Sequence, residues 1–331
     1  MIPPTINSET SAAAIRHFHL LYCRFTLKVI TPLHLPPYKG SAFRGGFGHA
    51  LKRIACSVPE KVCDLCDQPD RCVYSYLFET KIEQAGAGDE MIPRPFIMVP
   101  PLESYQSYAP GDVMTCDLIL VGDAIEYLPY FIAGINQLGH QGIGKSMGHY
   151  VITGVMCLRP NAPAYEVYSG PEDRFEDLRA PTTGDELTLQ YEGVSPTQIA
   201  LSFITPTRLK HQGHLLKQAP PFHVIMRRLL DRIAELSLFF HDMPLALDMR
   251  AWKSASESVR LLESHVTPYD WERYSNRQRT RMKLGGVVGT ATYAGDLAPF
   301  LPLLSLGEWL HVGKGATFGL GKYRIASIDE H

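Results

Sequence analysis

The sequence predicts an α+β fold made of two ferredoxin-like (RRM-like) domains in tandem, with antiparallel sheets and the helices on one face of each sheet. The chain has 331 residues, of which 45% are hydrophobic. That length exceeds what a single core usually holds, so we expect two domains. Residues 18–160 show the order strand, helix, strand, strand, helix, strand, and a less regular version follows in residues 197–331.

The N-terminal domain is expected to begin after residues 1–17, a polar and proline-containing segment that predicts a flexible arm. Residues 20–30 are rich in β-branched and aromatic side chains, which is typical of a strand. Apolar residues spaced three and four apart predict a helix over residues 43–54. The remaining elements are predicted as strands at 96–99, 113–121 and 150–158 and a helix at 124–138.

Residues 161–196 separate the two patterns and predict an interdomain linker. This stretch carries eight acidic and two basic residues together with prolines and glycines, and it offers little core of its own. The C-terminal domain that follows is predicted to contain strands at 198–204, 287–293 and 322–328 and helices at 222–241, 252–263 and 297–310.

Two glycine-rich segments occupy equivalent places between a helix and the last strand of each domain. Residues 139–146, GHQGIGKS, match the phosphate-loop pattern GxxxxGK[ST], but a phosphate loop needs a strand before it and a helix after it. The predicted order is the reverse, so we do not expect nucleotide hydrolysis. The second segment, residues 313–321, has glycines dense enough for its backbone to approach a phosphate closely. A tight structural turn is the alternative interpretation.

Four of the seven cysteines lie within seventeen residues, at the spacing C-x6-C-x2-C-x5-C. Thiolates converging on a tight turn suit tetrahedral zinc, and four of them would leave no open coordination position, so such a metal would brace the segment 56–79. Free or partly paired thiols and an iron–sulfur cluster are the alternatives. The predicted ligands are Cys56, Cys63, Cys66 and Cys72. The others lie in predicted strands and are expected to be core thiols: Cys23, Cys116 and Cys157.

Basic residues are concentrated in one part of a chain whose formal net charge is only −2. Residues 206–286 hold 14 basic and 8 acidic residues, and within them the run 273–283 contains five cations and no acid. One face of the protein is therefore expected to meet a polyanion, although a solvated charged helix would give the same pattern. No apolar run reaches the roughly 20 residues of a membrane helix, and the N-terminus lacks a signal pattern. We expect a cytoplasmic protein without membrane partners.

Two separated blocks of the sequence resemble the CRISPR repeat-RNA (pre-crRNA) processing endoribonucleases, the Cas-six family of the RAMP superfamily. The C-terminal block contains RxRMKLGGVVG, YAGDL and the closing GKGATFGLGKY. The N-terminal block contains LPxYKGSxFRGGFGHAL followed by the cysteines, which is similar to the cysteine-containing branch of that family. The resemblance covers most of residues 20–160 and 200–327.

This resemblance implies metal-independent cleavage of the RNA repeat with a 2′,3′-cyclic phosphate product. It also implies a catalytic histidine on the first helix, which matches His49, a phosphate-neutralising lysine, which matches Lys52, and a tyrosine that Tyr38 would supply. His34 is the reserve candidate, His211 and His214 are expected in an exposed hairpin or loop, and His311 is expected to be structural.

The expected RNA contacts come from both domains, and we expect the protein to retain the crRNA and to meet other Cas effector subunits. A non-catalytic RAMP subunit that only holds crRNA is the chief alternative, and a zinc-dependent nuclease or deaminase is a more distant one. The residues predicted to contact RNA are Arg44, Arg53, Arg277, Arg279, Arg281, Lys283, Lys314, Phe318 and Lys322.

Overall fold

A computed structural model describes most of the chain, and it divides the protein into two compact units. The described residues are 6–58, 63, 66, 71–79, 92–160, 162–270, 272–275, 280–283 and 285–329, and for 272–275 and 280–283 only the backbone is described. One unit is Leu20–Pro181, and the other combines Met1–His19 with Thr182–His331. Within the described residues, no helix has both the length and the apolar character that a membrane crossing requires.

Both units contain helices and strands. Up to residue 181 they are α1 (Ser8–Ile15), β1 (His19–Val29), β2 (Leu33–His34), α2 (Gly40–Ala55), α3 (Val73–Phe78), β3 (Phe96–Val99), β4 (Ser107–Tyr108), β5 (Val113–Val121), α4 (Leu128–Gln141), β6 (Tyr150–Arg159), β7 (Ala162–Ser169) and β8 (Arg174–Phe175). From residue 182 they are β9 (Thr182–Thr183), α5 (Gly184–Thr188), β10 (Gln198–Thr207), β11 (Lys210–His211), β12 (His214–Leu215), α6 (Phe222–Phe240), α7 (Met249–Ala255), β13 (Arg260–Tyr269), β14 (Glu272–Ser275), β15 (Thr280–Lys283), β16 (Gly286–Ala294), α8 (Leu301–Leu310) and β17 (Tyr323–Asp329).

Both units contain the same four-stranded antiparallel arrangement. In the first unit the strand order is β3-β5-β1-β6, and β7 and β8 extend the sheet beyond β6. In the second unit the order is β13-β16-β10-β17. If the four strands are numbered along the chain, each sheet reads 2-3-1-4 with a helix after strands 1 and 3, which is the ferredoxin-like arrangement. The predicted fold class is confirmed.

Helices α2 and α4 cover the first sheet and meet through aromatic rings and glycines. The rings of Phe47 and Phe131 stack at a centroid distance of 4.8 Å with 13° between their planes. A Cβ on Gly134 would lie 2.7 Å from the ring of Phe47, and one on Gly46 would lie 2.5 Å from Leu138 Cδ1. Neither position has room for a larger residue at this helix spacing, so glycine sets how closely the two helices pack.

The second unit buries the inner faces of α6 and α8 against its sheet. Leu229, Ile233 and Leu236 follow one another along α6 at helical spacing and are fully buried. The hydroxyl of Tyr323, on β17, donates a hydrogen bond of 2.7 Å to the Leu304 carbonyl. That bond connects the last strand to α8 through a buried donor that would otherwise lack a partner.

The prediction of a helix over residues 252–263 was wrong in its second half. Helix α7 ends at Ala255, and the residues from Arg260 onward form β13, the edge strand that completes the second sheet. Nearly every residue of β13 is exposed, including Leu261 and Leu262. Because the strand buries no single face, its sequence lacks the alternation of apolar and polar residues that indicates a strand.

The expected linker and N-terminal arm both contribute to packed structure. Strand β7, inside residues 161–196, pairs with β6 and buries Val167 and Tyr168. In the segment 1–17, helix α1 buries Ile15 completely, and Ser11 Oγ donates to the Pro299 carbonyl at 2.7 Å. A few apolar positions are enough to dock these segments, although their overall composition is polar and acidic.

Replacement of Phe131 by alanine should strongly destabilise the protein. The ring is fully buried in the aromatic contact between α2 and α4, and phenylalanine-to-alanine changes in cores typically cost about 3–5 kcal/mol. Tyr130→Ala, at the neighbouring and exposed position of the same helix, should change the free energy of unfolding by less than about 1 kcal/mol. Urea unfolding of both variants measures this, and equal losses would contradict the packing described for Phe131.

Candidate functional site

Helix α2 presents an arc of cationic and titratable side chains on the side opposite its buried face. At 100° per residue, Phe43, Phe47 and Leu51 lie on the core side and are buried. Around the other side the order is Arg44, Lys52, His49 and Arg53, which places the exposed imidazole between the lysine and the second arginine. We call these four residues the α2 cationic arc. They carry positive charge and a group that can exchange a proton.

Two aromatic rings of α3 lie under one end of this arc. The guanidinium carbon of Arg44 lies 4.5 Å from the Phe78 ring centroid, and Lys52 Nζ lies 5.7 Å from that of Tyr74. The rings of Tyr74 and Phe78 are stacked 4.9 Å apart and almost parallel. Cations over ring faces are attracted by the ring quadrupole, so α3 orients both cations. Tyr74 and Phe78 were missed from sequence, although their i, i+4 spacing in VYSYLF is a usable signal.

Lys52 is also tied to the cysteine segment. Its ammonium donates a hydrogen bond to the Cys63 side chain, which is the main reason that the pKa of Lys52 is raised above its usual value. Partial burial opposes this effect but does not outweigh it. Lys52 therefore remains fully protonated at neutral pH and keeps the positive charge that a phosphate group would require.

Tyr38 and His34, the other acid–base candidates, are not part of α2. Tyr38 precedes α2 and is only 6% exposed, whereas His49 is exposed in the second half of that helix. His34 is exposed on β2, where Nδ1 lies 3.0 Å from Ser107 Oγ.

The cysteines are placed only in part. Cys56, Cys63, Cys66 and Cys72 are all half-buried free thiols, and much of the chain between them lies outside the described residues. Among the residues that are described, no group of three or more histidine, cysteine or acidic side chains is arranged to hold a metal ion. The zinc site stays a prediction. The three core thiols are buried as expected, with Cys23 Sγ and Cys157 Sγ 2.9 Å apart on paired strands.

The basic run 273–283 is described only in outline. Its backbone forms a hairpin in which β14 pairs with β15, with Arg273 opposite Met282 and Tyr274 opposite Arg281. Arg277 and Arg279 lie outside the described residues, and so do the side chains of Arg281 and Lys283. Their expected contacts with RNA phosphates stay a prediction.

The glycine-rich loop between α8 and β17 is held by the strand at the centre of its sheet. Gly313, Gly315, Gly319 and Gly321 all have positive φ, between 74° and 89°. A Cβ on Gly321 would lie 1.9 Å from the Val312 carbonyl oxygen, so no other residue fits there. Thr205 Oγ1 on β10 donates to the Gly319 carbonyl at 2.7 Å and accepts from the Lys322 amide at 2.9 Å.

The loop exposes one of its predicted contact residues and buries another. Lys314 is exposed, with its amide bonded to the Arg208 carbonyl at 3.0 Å, and Phe318 is half-buried. Lys322 is only 8% exposed and lies close enough to His311 to lower the pKa of that imidazole. The interior position of Lys322 makes it a support of the loop and not a surface contact for RNA.

His311 is a structural residue under the same loop, as the sequence predicted. It is fully buried and its Nδ1 lies 3.1 Å from the Leu320 carbonyl. Burial, reinforced by the charges of Lys322 and Arg232, lowers the pKa of His311 to about 3. The imidazole is thus neutral at physiological pH, and its Nδ1–H donates to the loop backbone.

The segment 139–146 is a structural turn and not a phosphate loop. Its first residues form the end of helix α4, and β6 follows it, so the order is helix then strand, as expected. The Lys145 amide donates to the His34 carbonyl at 3.1 Å, and Ser146 Oγ accepts from the His34 amide at 2.9 Å. A Cβ on Gly144 would lie 2.2 Å from the same His34 oxygen. The glycine therefore allows the turn to pack on β2. The backbone of His34 occupies the position that a bound phosphate would need.

Solved structures share this fold at low sequence identity. Thermus thermophilus Cas6 has a TM-score of 0.53 at 15% identity, over 92% of this chain and 98% of that one. A structure described as a Cas6 product complex gives 0.56 at 16% identity, with the same coverage. A chain of a partial Cas6-RT-Cas1–Cas2 complex gives 0.60 at 16% identity, over 94% of this chain, which spans only 46% of that longer chain. This likeness agrees with the assignment of the chain to the class of tandem ferredoxin-like proteins.

Sequence families agree with the fold. Residues 201–323 match the family of the CRISPR-associated endoribonuclease Cas6, and residues 18–181 match a family described as an N-terminal domain. An uncharacterized protein of Archaeoglobus fulgidus is 27% identical over 321 residues, covering 94% of this chain and 99% of that protein. Residues 201–323 therefore carry the sequence pattern of the Cas6 family of CRISPR-associated endoribonucleases, on a fold that solved Cas6 structures share.

The buried His311 should make the protein less stable as the pH falls below 6.5. Below pH 6.5 the imidazole takes up a proton in the unfolded chain, whereas in the folded chain it does so only near pH 3. Proton binding therefore stabilises the unfolded state relative to the folded state. Between pH 7 and pH 5 the loss is about 2 kcal/mol, at 1.36 kcal/mol per pH unit below the unfolded pKa. His311→Gln, whose amide can still donate to Leu320, should show a shallower decline.

Urea unfolding at pH 5 and pH 7 measures this difference. His265→Gln is the matched control because His265 is exposed on β13. Parallel pH dependence in the wild type and in the His311→Gln variant would show that His311 is protonated in the folded protein.

Proposed function

We propose that this protein cuts CRISPR precursor RNA within the repeat without a catalytic metal, and that it then holds the product crRNA. The observation that carries the proposal is the exposed His49, flanked around α2 by Lys52 and Arg53, in a chain whose residues 201–323 match the Cas6 family. Cas6 proteins that share the fold include one described as a product complex, which supports retention of the product here. Other Cas subunits are proposed partners because a structure that shares the fold is a partial Cas6-RT-Cas1–Cas2 complex.

The proposed reaction is a transesterification within the RNA. The ribose 2′ oxygen attacks the adjacent phosphorus and loses its proton to a base, while the bond from phosphorus to the 5′ oxygen breaks and an acid protonates that oxygen. The products are a 2′,3′-cyclic phosphate and a 5′-hydroxyl. An imidazole titrates near neutral pH and serves in either proton transfer, each worth roughly 10²- to 10⁴-fold in rate.

Lys52 is proposed to stabilise the charge that builds up on the phosphoryl oxygens. Its raised pKa keeps it cationic, and its contacts with Tyr74 and Cys63 hold it in place before RNA arrives. A preorganised cation stabilises a transition state more than one that must be ordered during the reaction. Arg44, held over Phe78, and the exposed Arg53 extend the positive surface along which the RNA backbone would lie.

A non-catalytic RAMP subunit that displays crRNA is the second candidate. The α2 cationic arc could bind phosphate without cutting it, and the glycine-rich loop serves both functions equally. Only chemistry at His49 separates the two, because a subunit that holds RNA without cutting it needs no acid or base beside the phosphate.

Substitution of His49 by alanine should lower the cleavage rate of repeat RNA by about 10²-fold or more and leave RNA affinity within a few-fold. The measurement is single-turnover cleavage of labelled repeat RNA in excess EDTA, with binding determined on RNA carrying a 2′-deoxy substitution at the cut site. Lys52→Ala should also reduce the rate, whereas Lys52→Arg should retain part of it because the charge persists.

His265→Ala is the control for removal of an exposed histidine elsewhere. Binding without cleavage by the wild type would favour the holding subunit. Cleavage that survives in the His49→Ala variant would retain the nuclease and move the acid–base role to His34. Cleavage that stops in EDTA would favour a metal-dependent nuclease.

We also propose that Cys56, Cys63, Cys66 and Cys72 bind one structural zinc ion. The residues are free thiols within seventeen positions, and Cys63 is already in contact with the α2 cationic arc through Lys52. The protein purified without chelator should contain about one zinc per chain, and Cys63→Ser/Cys66→Ser should contain none and unfold at lower temperature. The control is Cys116→Ala, a buried cysteine outside the segment. Iron and sulfide in the wild type, or no metal at all, would refute this assignment.

A further inference from the structure

The second unit contains a cleft that neither His49 nor the glycine-rich loop accounts for. It has a volume of about 700 Å³ and lies between the β11–β12 hairpin, α6 and α7. A cleft of this size suits a ligand of about one or two nucleotides and is too small for a duplex. The hairpin contains His211 and His214, which the sequence predicted in an exposed hairpin or loop, and the two histidines pair directly across it.

The lining of this cleft is strongly cationic. Five of its lining residues are basic and two are acidic. Arg227 is paired with Glu257 at 2.7 Å, and Lys253 is paired with Asp231 at 2.5 Å. Arg228 adds a longer contact of 3.9 Å to the same Asp231. The acids are therefore already shared among three cations, and the cleft keeps an excess of positive charge.

Two cations of the lining are uncommitted. Lys210 on the hairpin and Arg250 on α7 are both exposed, and within the described residues neither side chain has an ion pair or a hydrogen bond. They come from two different elements that line the cleft, so each can contact a phosphate of one strand placed within it. Half-buried His211, with its ring 5.5 Å from that of His223, adds a π face at the same edge. Cations beside a ring are the groups that hold the phosphate and base of single-stranded RNA.

The cleft is connected to the glycine-rich loop through two residues of backbone. The Arg208 carbonyl accepts the Lys314 amide of that loop, and a Cβ on Gly313 would lie 2.6 Å from the same oxygen. Lys210 follows only two residues later and opens the hairpin. A polyanion lying along Lys314 would reach the cleft after a short distance over the surface. An acidic peptide fits the charge, but this connection to the loop favours RNA.

We propose that this cleft binds the phosphate backbone of single-stranded RNA through Lys210 and Arg250, as a site additional to the α2 cationic arc. The proposal rests on the proposed function only in taking RNA as the polyanion. The site holds RNA and takes no part in cleavage. It extends the contact of the second unit from the exposed Lys314 to the face formed by α6 and α7.

The test is the binding of fluorescently labelled oligouridine, 20 nucleotides long, over a range of salt concentrations. Lys210→Glu/Arg250→Glu should bind it roughly tenfold more weakly at low salt. The slope of log affinity against log salt should become shallower by about 1.4, which is 0.7 for each of two phosphate contacts on a single strand. Lys210→Ala/Arg250→Ala removes the same two contacts without adding negative charge, so it should give a similar change of slope with a smaller loss of affinity.

Lys28→Glu/Arg260→Glu is the matched control. It changes the net charge equally at two exposed positions outside the cleft, and it should bind oligouridine like the wild type. Neither variant should lower the cleavage rate at saturating repeat RNA, so failure of this proposal is distinguishable from failure of the nuclease assignment.

Three results would overturn the proposal. One is unchanged binding and salt slope in Lys210→Glu/Arg250→Glu with unchanged thermal stability, and another is an equal loss in the control variant. The third is binding of polyglutamate that depends on Lys210 and Arg250 when the binding of oligouridine does not, which would assign the cleft to an acidic protein partner.

Discussion

The close packing of α2 against α4 is the constraint on which the first unit depends. Gly46 and Gly134 let the two helices approach until the rings of Phe47 and Phe131 stack, and either Cβ would overlap a neighbouring side chain. A buried helix face that is fixed in this way also fixes the opposite one, because the two are separated by half a turn of the same backbone. The α2 cationic arc is therefore positioned by apolar packing on the other side of its helix.

The cysteine segment supports the same helix through α3, whose residues Leu77 and Phe78 belong to the core. Its aromatic residues lie under Arg44 and Lys52, and Cys63 accepts a hydrogen bond from Lys52. Charged side chains on an exposed helix face would otherwise sample many rotamers, and holding them costs entropy that must be recovered on binding. Here the cysteine segment confines Arg44 and Lys52, two of the four residues of the α2 cationic arc. Disruption of the segment should therefore also disturb the chemistry of the arc.

Much of the fold could be predicted from sequence because the regular elements bury one face. The β-branched and aromatic residues of 20–30 and the helical spacing in 43–54 both correspond to observed elements, β1 and α2. The prediction of secondary structure failed where a strand buries few of its residues. Strand β13 is exposed on both faces, and β7 buries only a few residues of an acidic stretch. Neither segment carries the periodic signal on which sequence reasoning depends.

The candidate site was predictable in its chemistry and less so in its geometry. His49, Lys52 and Arg53 could be grouped because helical spacing fixes their relation. The burial of Tyr38 and Lys322 could not be foreseen, since both residue types are common at surfaces and only tertiary packing encloses them. The aromatic support from Tyr74 and Phe78 depends on how α3 folds back onto α2, which no local pattern specifies.

The clamp of Thr205 on the glycine-rich loop has a thermodynamic consequence. The loop combines four residues at positive φ with hydrogen bonds from a central strand and from a neutral buried imidazole, so its shape is fixed before any ligand arrives. A ligand bound by this backbone would not pay the ordering cost that flexible glycine loops impose on their partners. Association at the loop should then resemble the docking of two rigid surfaces, with a small loss of conformational entropy on the protein side.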